Sequence, residues 1–422
     1  MNLRTLLIIG FTWPEPNATA AGGRMLQLIR FFLQHDCEII FASTAKTTHF
    51  SMDLNGLGIE KIQIRLNDDG FDSFMNGLKP DMVLFDRFLT EEQFGWRVAQ
   101  FAPNAIRILD TEDLHSLRHS RETAFKSKVA HTNAHWLGEE LTLREMASIY
   151  RCDLALIISN YEMGLLQEVL KIDPSLLFYL PFLIDGITDD VRENWASFET
   201  REHFMFLGNG KHSPNVDAIN WLRVDLWPLI RKSLPKANFY VYGTYMPQKV
   251  LQMHCPKDGF YIKGPLEQLD KTMGSTRINL APLRFGAGLK GKLIDSMLFG
   301  IPSVTTNIGA EGMHHQLPWN GSIADTKDTF AQAAVDLYTD RNAWEAAQRN
   351  GAVIINELFD PIGFKDGLYH KIQQLELGLE AHRTSNFIGA MLRHHTLAST
   401  KYLSKWIALK NGANSKKEEG TT

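Results

Sequence analysis

Short apolar, β-branched runs alternate with helical segments along this chain, and the alternation happens twice. In the first half the runs are Thr5–Phe11, Cys37–Ser43, Lys61–Leu66, Met82–Asp86, Ala105–Asp110, Leu154–Ser159 and Leu177–Leu180. Helical spacing falls between several of them, at Arg24–Gln34, Glu91–Gln100, Leu137–Tyr150 and Tyr161–Leu170. The pattern restarts at His203–Gly208 and continues through Asn238–Gly243, Tyr261–Lys263, Arg277–Pro282 and Ser303–Thr306. Strand–helix alternation predicts a parallel sheet covered on both faces. Two such series predict an α/β chain of two Rossmann-like domains, and 422 residues exceed what one core usually supports. Ligands of such sheets sit beyond the carboxyl ends of the strands, so two facing domains predict a cleft between them.

The expected divisions are residues 1–185 for the first domain, 186–202 for an acidic linker and 203–380 for the second domain. A closing helix over 381–410 and an unstructured polar tail over 411–422 follow. Ser213 followed by Pro214 reads as an N-cap opening a helix. Arg4 and the apolar run Leu6–Phe11 resemble the start of a signal peptide, but the run is short and Trp13-Pro14-Glu15-Pro16 interrupts it, so a first strand is expected. No run approaches the length of a membrane span. The composition is that of a soluble globular chain, at 44% apolar and 22% charged. Its net charge of −4 offers no general attraction to nucleic acid. The three cysteines, Cys37, Cys152 and Cys255, are far apart and suit a reducing compartment rather than a zinc site or disulfide frame.

The stretch RFGAGLKGKLIDSMLFGIP at 284–302 carries the most chemistry. Gly286, Gly288 and Gly291 spell a dinucleotide fingerprint, and Gly286, Gly291 and Lys292 spell the start of a P-loop. The P-loop fails because Leu293 stands where a Ser or Thr should hold magnesium. The dinucleotide reading fails because Glu311 lies beyond the end of the next strand and because Lys290 and Lys292 place two cations in the turn. Cations beside a helix N-terminus suit a ligand whose phosphates gain charge, as a diphosphate leaving group does. Arg284, Lys290 and Lys292 would then face the diphosphate. Asp295, one helical turn after Lys292, would accept from ribose hydroxyls or, equally, pair with Lys292.

Residues 281–312, APLRFGAGLKGKLIDSMLFGIPSVTTNIGAEG, resemble the donor-binding region of GT-B glycosyltransferases of the group 1, family 4-like type. FMFLGNGKHSPNVDAINWL at 204–222 and WPEPNATAAGGRMLQLIRFF at 13–32 are similar to other segments of that group, in the same order. The resemblance implies a retaining glycosyltransferase that uses a nucleotide-diphospho-sugar, needs no obligatory metal or other cofactor, and binds its acceptor on the first domain. It implies that Gly22 and Gly23 approach the diphosphate from the first domain, with Gly208, Asn209 and Lys211 flanking it from the second. Lys292 would meet the phosphates, Asp295 the ribose, and Gly264, Pro265 and Leu266 the base. Many members carry two glutamates eight positions apart; here Ala287 and Asp295 occupy those places, as in a related variant, and Glu311 is an alternative sugar contact.

In the first domain LDTEDLHSLRHSRE at 109–122 follows a strand. Asp110, Asp113 and His115, with Glu112 among them, are candidates to orient or deprotonate an acceptor. Arg118 and Arg121 leave open an internal ion-pair cluster instead. The segment FIGAMLRHHTLASTKYLSKWIAL at 387–409 is expected to pack on the first domain, with contact to a membrane surface as the rival reading. The whole predicts a cytoplasmic glycosyltransferase, peripheral to the inner membrane face if that rival holds, adding sugar to a glycan or lipid-linked hydroxyl in cell-surface polysaccharide or glycolipid biosynthesis. A sugar-nucleotide epimerase of the same fold, or a non-catalytic nucleotide-sugar-binding subunit, is the alternative.

Overall fold

The computed structural model describes residues 4–266 and 269–419. Two parallel sheets organise them. The first has seven strands: β1 (Arg4–Gly10), β2 (Cys37–Ser43), β3 (Glu60–Gln63), β4 (Met82–Asp86), β5 (Ile106–Asp110), β6 (Leu154–Ile157) and β7 (Leu177–Tyr179). The second has six: β8 (Glu202–Leu207), β9 (Phe239–Tyr242), β10 (Phe260–Gly264), β11 (Thr276–Ala281), β12 (Ser303–Thr305) and β13 (Gly321–Ile323). Their spatial orders are 3-2-1-4-5-6-7 and 10-9-8-11-12-13, so the same winding occurs twice.

Continuous apolar runs make these strands because both sheet faces are covered. In β1, Leu6 and Ile8 enter one hydrophobic cluster while Leu7 and Ile9 enter the other, as alternation requires. In β8, Phe204 and Phe206 pack on one face and Met205 on the other. In each sheet the order reverses beside the first strand of the series, between β1 and β4 and between β8 and β11. The loops leaving those strand ends are where a ligand site belongs.

Several local expectations are corrected. The strand β13 and the helices Gly70–Leu78 and His115–Lys126 are present in addition to the elements read from sequence. Ser213 is the first residue of its helix rather than the cap; its hydroxyl donates to Glu122 of the first domain at 2.8 Å. The chain returns to the first domain at Pro361, earlier than residue 381: Leu368, Ile372 and Leu375 of helix Pro361–Ser385 pack with Leu6 and Ile8. Arg383 then holds Asp153 at 2.7 and 2.8 Å. The tail expected to lack structure is helical, because helix Phe387–Glu419 continues through 411–419; residues 420–422 lie outside the described residues.

Candidate functional site

The loops after β1, β4 and β5 face the loops after β8, β9 and β11, and the two sets meet. Arg121, from the first domain, donates from both terminal nitrogens to Glu311 of the second at 2.7 and 2.8 Å, and to the Gly286 carbonyl at 2.8 Å. Tyr245 donates to Glu15 across the same divide at 2.9 Å, and the Thr244 hydroxyl to the Ala18 carbonyl at 3.2 Å. The Glu162 carboxyl accepts from the amides of Leu114 at 3.0 Å and Gly288 at 2.8 Å, joining a first-domain loop to the glycine turn. Burial raises that carboxyl to about 8, with Asp113 adding repulsion.

This closure changes what the glycines do. Gly288 has φ +63, and a Cβ there would strike the Asp113 Cβ at 2.7 Å; a Cβ on Gly291 would meet Ala20 at 2.9 Å. Both are bare so that the domains can touch. Gly286 supplies its carbonyl to Arg121 of the first domain. Gly22 packs against the Glu15 backbone, whereas Gly23 faces open space. Gly208 is bare because Asn215 and Phe206 crowd it at 2.8 Å, and its amide already donates to Tyr242.

Helix Gly291–Leu298 follows β11 after the glycine turn, and the amides of Gly291 and Lys292 at its start have no acceptor within the helix, whereas the Leu293 amide donates to the Lys290 carbonyl. Lys292 projects from this turn. Its ammonium donates to the Asn215 carbonyl oxygen and lies 5.0 Å from the centre of the Phe206 ring. Among the described residues no carboxylate stands within ion-pair distance of it. Burial, with Lys290 adding repulsion and Asp295 opposing both, lowers Lys292 to about 7. Lys290 donates to the Gly288 carbonyl at 2.7 Å and is lowered to about 8, chiefly by burial. The Asp295 carboxyl makes no hydrogen bond among the described residues, and burial raises it to about 6 against the pull of Lys292. These three groups carry electrostatic tension that a polar ligand would relieve.

Other predicted donor contacts are already committed. Arg284 forms a two-pronged pair with Asp217 at 2.6 and 2.8 Å and lies over Phe125 and Trp221, so it does not face the turn as a free cation. Glu311 caps the end of the short helix Asn307–Ala310, and both its oxygens bind Arg121. Lys211 is exposed, with its ammonium 3.6 Å from the Tyr245 ring centre, and Asn209 folds back to accept from the Lys211 amide. Gly264 has φ +78 and ends β10, with Pro265 exposed and Leu266 partly packed beside Tyr242.

On the first domain the carboxylates divide. Asp110 is fully buried and gripped by Arg24 at 2.7–3.0 Å; Arg24 also donates to the Leu180 carbonyl. That removes Asp110 from direct contact with an acceptor and makes it the anchor of the helix that carries Gly23. Asp113 pairs with Arg118 and lies 3.3 Å from the His115 ring, and its carboxyl is held well below the usual range. Burial drives His115 down to about 3, as it does His212, which comes from the second domain and faces Arg118, Asp113 and Lys292. Neutral imidazoles of such low basicity are poor proton acceptors. Glu112 is different. It holds φ +64, its Oε1 is buried without a partner, and burial raises it to about 8 despite Arg87. Arg87, also left-handed at φ +71, pairs with Asp86 and covers Phe11. Two strained non-glycine residues at adjacent strand ends mark a site.

Sequence reasoning missed Asn215, Glu162, His212 and Arg24, whose roles come from chain segments far away. Among the described residues no three His, Cys, Asp or Glu side chains are grouped to hold a metal ion.

Residues 201–340 match the family described as glycosyl transferases, group 1. A sucrose-phosphate synthase from Thermosynechococcus elongatus superposes with a TM-score of 0.65 at 12% identity, covering 88% of this chain and 99% of that one. HepE from Anabaena, in complex with UDP-glucose, gives 0.63 at 12% identity over 88% and 100% of the two chains. WaaG, a glycosyltransferase involved in lipopolysaccharide biosynthesis, gives 0.57 at 12% identity over 86% and 98%. A comparison with curated proteins by sequence gave no match.

Proposed function

We propose that this chain, which shares the two-domain fold of its structural neighbours and matches the group 1 glycosyl transferase family over residues 201–340, moves a sugar, with retention, from a nucleotide-diphospho-sugar to a hydroxyl acceptor. The observation that carries this reading is Lys292. A half-buried ammonium without a carboxylate, aimed by Asn215 beside open helix amides, suits a group that becomes more negative during reaction. The β-phosphate of a departing nucleoside diphosphate is such a group, and preorganised charge helps most where charge develops.

In this reading the diphosphate lies between Lys292, the first-turn amides of Gly291 and Lys292, and the open face of Gly23, with Lys290 behind the turn. Asp295 accepts from ribose hydroxyls, and Gly264, Pro265 and Leu266 border the base. Arg121–Glu311 and Tyr245–Glu15 hold the domains closed around the donor rather than touching it. Glu112 faces the acceptor hydroxyl from the first domain as its proton acceptor, with Arg87 orienting it. The chemistry is assigned to these groups without a metal or other cofactor. The proposed setting is surface-glycan or glycolipid assembly at the cytoplasmic face of the membrane, supported by the likeness in fold to WaaG.

Thermal-shift measurement with UDP, GDP, ADP and their sugars tests the donor assignment. One nucleotide diphosphate should raise Tm by several degrees, equally with and without EDTA. No stabilisation by any of them would remove the donor site. An epimerised donor without acceptor would move the reaction to the alternative class.

A further inference from the structure

Helix Phe387–Glu419 sits on the first domain with its amphipathic sense reversed. Among the described side chains the most buried on the face toward the body are small or polar: Gly389 and Ser404 are buried, the Ser404 hydroxyl donates to the Asn67 side chain at 2.6 Å, and Arg393 donates to the Arg151 carbonyl at 3.2 Å, with Leu392 and Ile407 partly covered. The large apolar side chains point away. Phe387 is 74% exposed, Tyr402 68%, Trp406 59% and Leu409 75%, with Ile388 and Met391 nearly half exposed. Ile388 and Trp406 are eighteen residues apart, as are Met391 and Leu409, which is five turns of a helix. Tyr402, Trp406 and Leu409 follow at spacings of four and three. These residues therefore form one outward stripe. Packing on the fold does not account for it, because the packed side is the opposite one.

Charge indicates what covers the stripe. From Asn386 to Lys417 the sequence has no Asp or Glu, in a chain whose net charge is −4. Exposed Lys405 and Lys410 flank the stripe, and the Lys410 ammonium lies 5.3 Å from the Trp406 ring centre. A second copy of the helix would bring cations against cations on both flanks. An anionic lipid surface matches both features: aromatic and aliphatic side chains enter the headgroup boundary while lysine stems reach back to phosphates. No helix among the described residues is long and apolar enough to cross a membrane.

We propose that the outward face of helix Phe387–Glu419 docks the enzyme in the plane of an acidic phospholipid bilayer. The helix packs on the helices Arg87–Phe101 and Glu140–Arg151, the first of which starts at the acceptor-side Arg87. Docking would thus seat the acceptor domain at the surface where a lipid-linked hydroxyl is presented. The inference deepens the membrane-peripheral part of the proposed function and shares no residue with the donor site, so the two fail separately.

Co-sedimentation of the full chain with vesicles tests it. Phosphatidylcholine vesicles containing 30 mol% phosphatidylglycerol, roughly a cytoplasmic leaflet's charge, should bind at least ten-fold more protein than phosphatidylcholine alone, with binding weakened by salt. Tyr402→Ser, Trp406→Ser and Leu409→Ser together should lower binding at least ten-fold while the unfolding temperature and the nucleotide thermal shift stay unchanged. Lys405→Gln with Lys410→Gln should remove the preference for anionic vesicles. Wild type remaining in the supernatant with every vesicle, or unchanged binding by the triple variant, overturns the proposal. So does a concentration-dependent dimer in sedimentation velocity that the triple variant abolishes, which would give the face to a second copy.

Discussion

The charge on Lys292 should be set by the donor. In the free enzyme its pKa is about 7, so at pH 8.5 only a few per cent of molecules carry the ammonium. A diphosphate that draws the pKa back above 9 must then supply the free energy of protonation. Binding is coupled to proton uptake: affinity is full below the free-enzyme pKa and falls as pH rises through it. Between pH 6.5 and 8.5 the loss expected through Lys292 alone is about 25-fold, or ~1.9 kcal/mol, with any contribution of Lys290 multiplying it. The ligand is the intact nucleotide-sugar, whose two phosphate groups each carry one charge throughout this range. Titration calorimetry at pH 8 in buffers of different ionisation enthalpy should show uptake approaching one proton per donor bound. In Lys292→Met the slope should shrink to the about four-fold that Lys290, lowered to about 8, can contribute. Transfer should fall by about 10²–10³, the usual cost of losing one preorganised partner of a developing anion. An affinity independent of pH in the wild type, or an undiminished slope in Lys292→Met, would refute the placement of Lys292 at the diphosphate.

Three further outcomes follow from the geometry. Gly23→Ala adds a methyl into open space within helix Ala20–Gln34, so it should raise stability by about 0.4–1 kcal/mol in denaturant titrations while raising donor KM about ten-fold; unchanged KM would place the donor elsewhere. A double-mutant cycle on Arg121→Ala and Glu311→Ala, whose side chains are 7% and 14% exposed, should give a coupling of about 1–3 kcal/mol in denaturant unfolding, and additivity would mean the domains do not close through this pair. Glu112 is raised to about 8, so as a base it is active only above that value; kcat/KM should climb with pH through about 8, and Glu112→Gln should flatten the climb and slow transfer about 10²–10⁴-fold, whereas a persisting climb assigns the proton to another group.

The sequence by itself determined that two series of buried strands alternate with helices, while the strand order of each sheet came from the structure. A strand buried on both faces must be apolar throughout, and such runs as Leu6–Ile9 and Phe204–Phe206 stand out in any reading. It also determined that residues 277–299 pass from a strand through a glycine turn into a helix, because φ values such as the +63 of Gly288 leave few residue choices. Tertiary structure decided which of its charges are free. Lys292 and Arg284 look alike in sequence, yet Asp217, 67 positions away, takes Arg284, while only the neutral Asn215 meets Lys292. Asp110 and Glu112 are two residues apart on one strand end, yet Arg24 neutralises the first and leaves the second unpaired. Glu311 turned from sugar contact to domain clasp because Arg121 lies 190 residues earlier in the chain and directly beside it in space. Local pattern is written in neighbours along the chain; the state of a charge depends on partners and solvent brought in from elsewhere, and only folding assembles those.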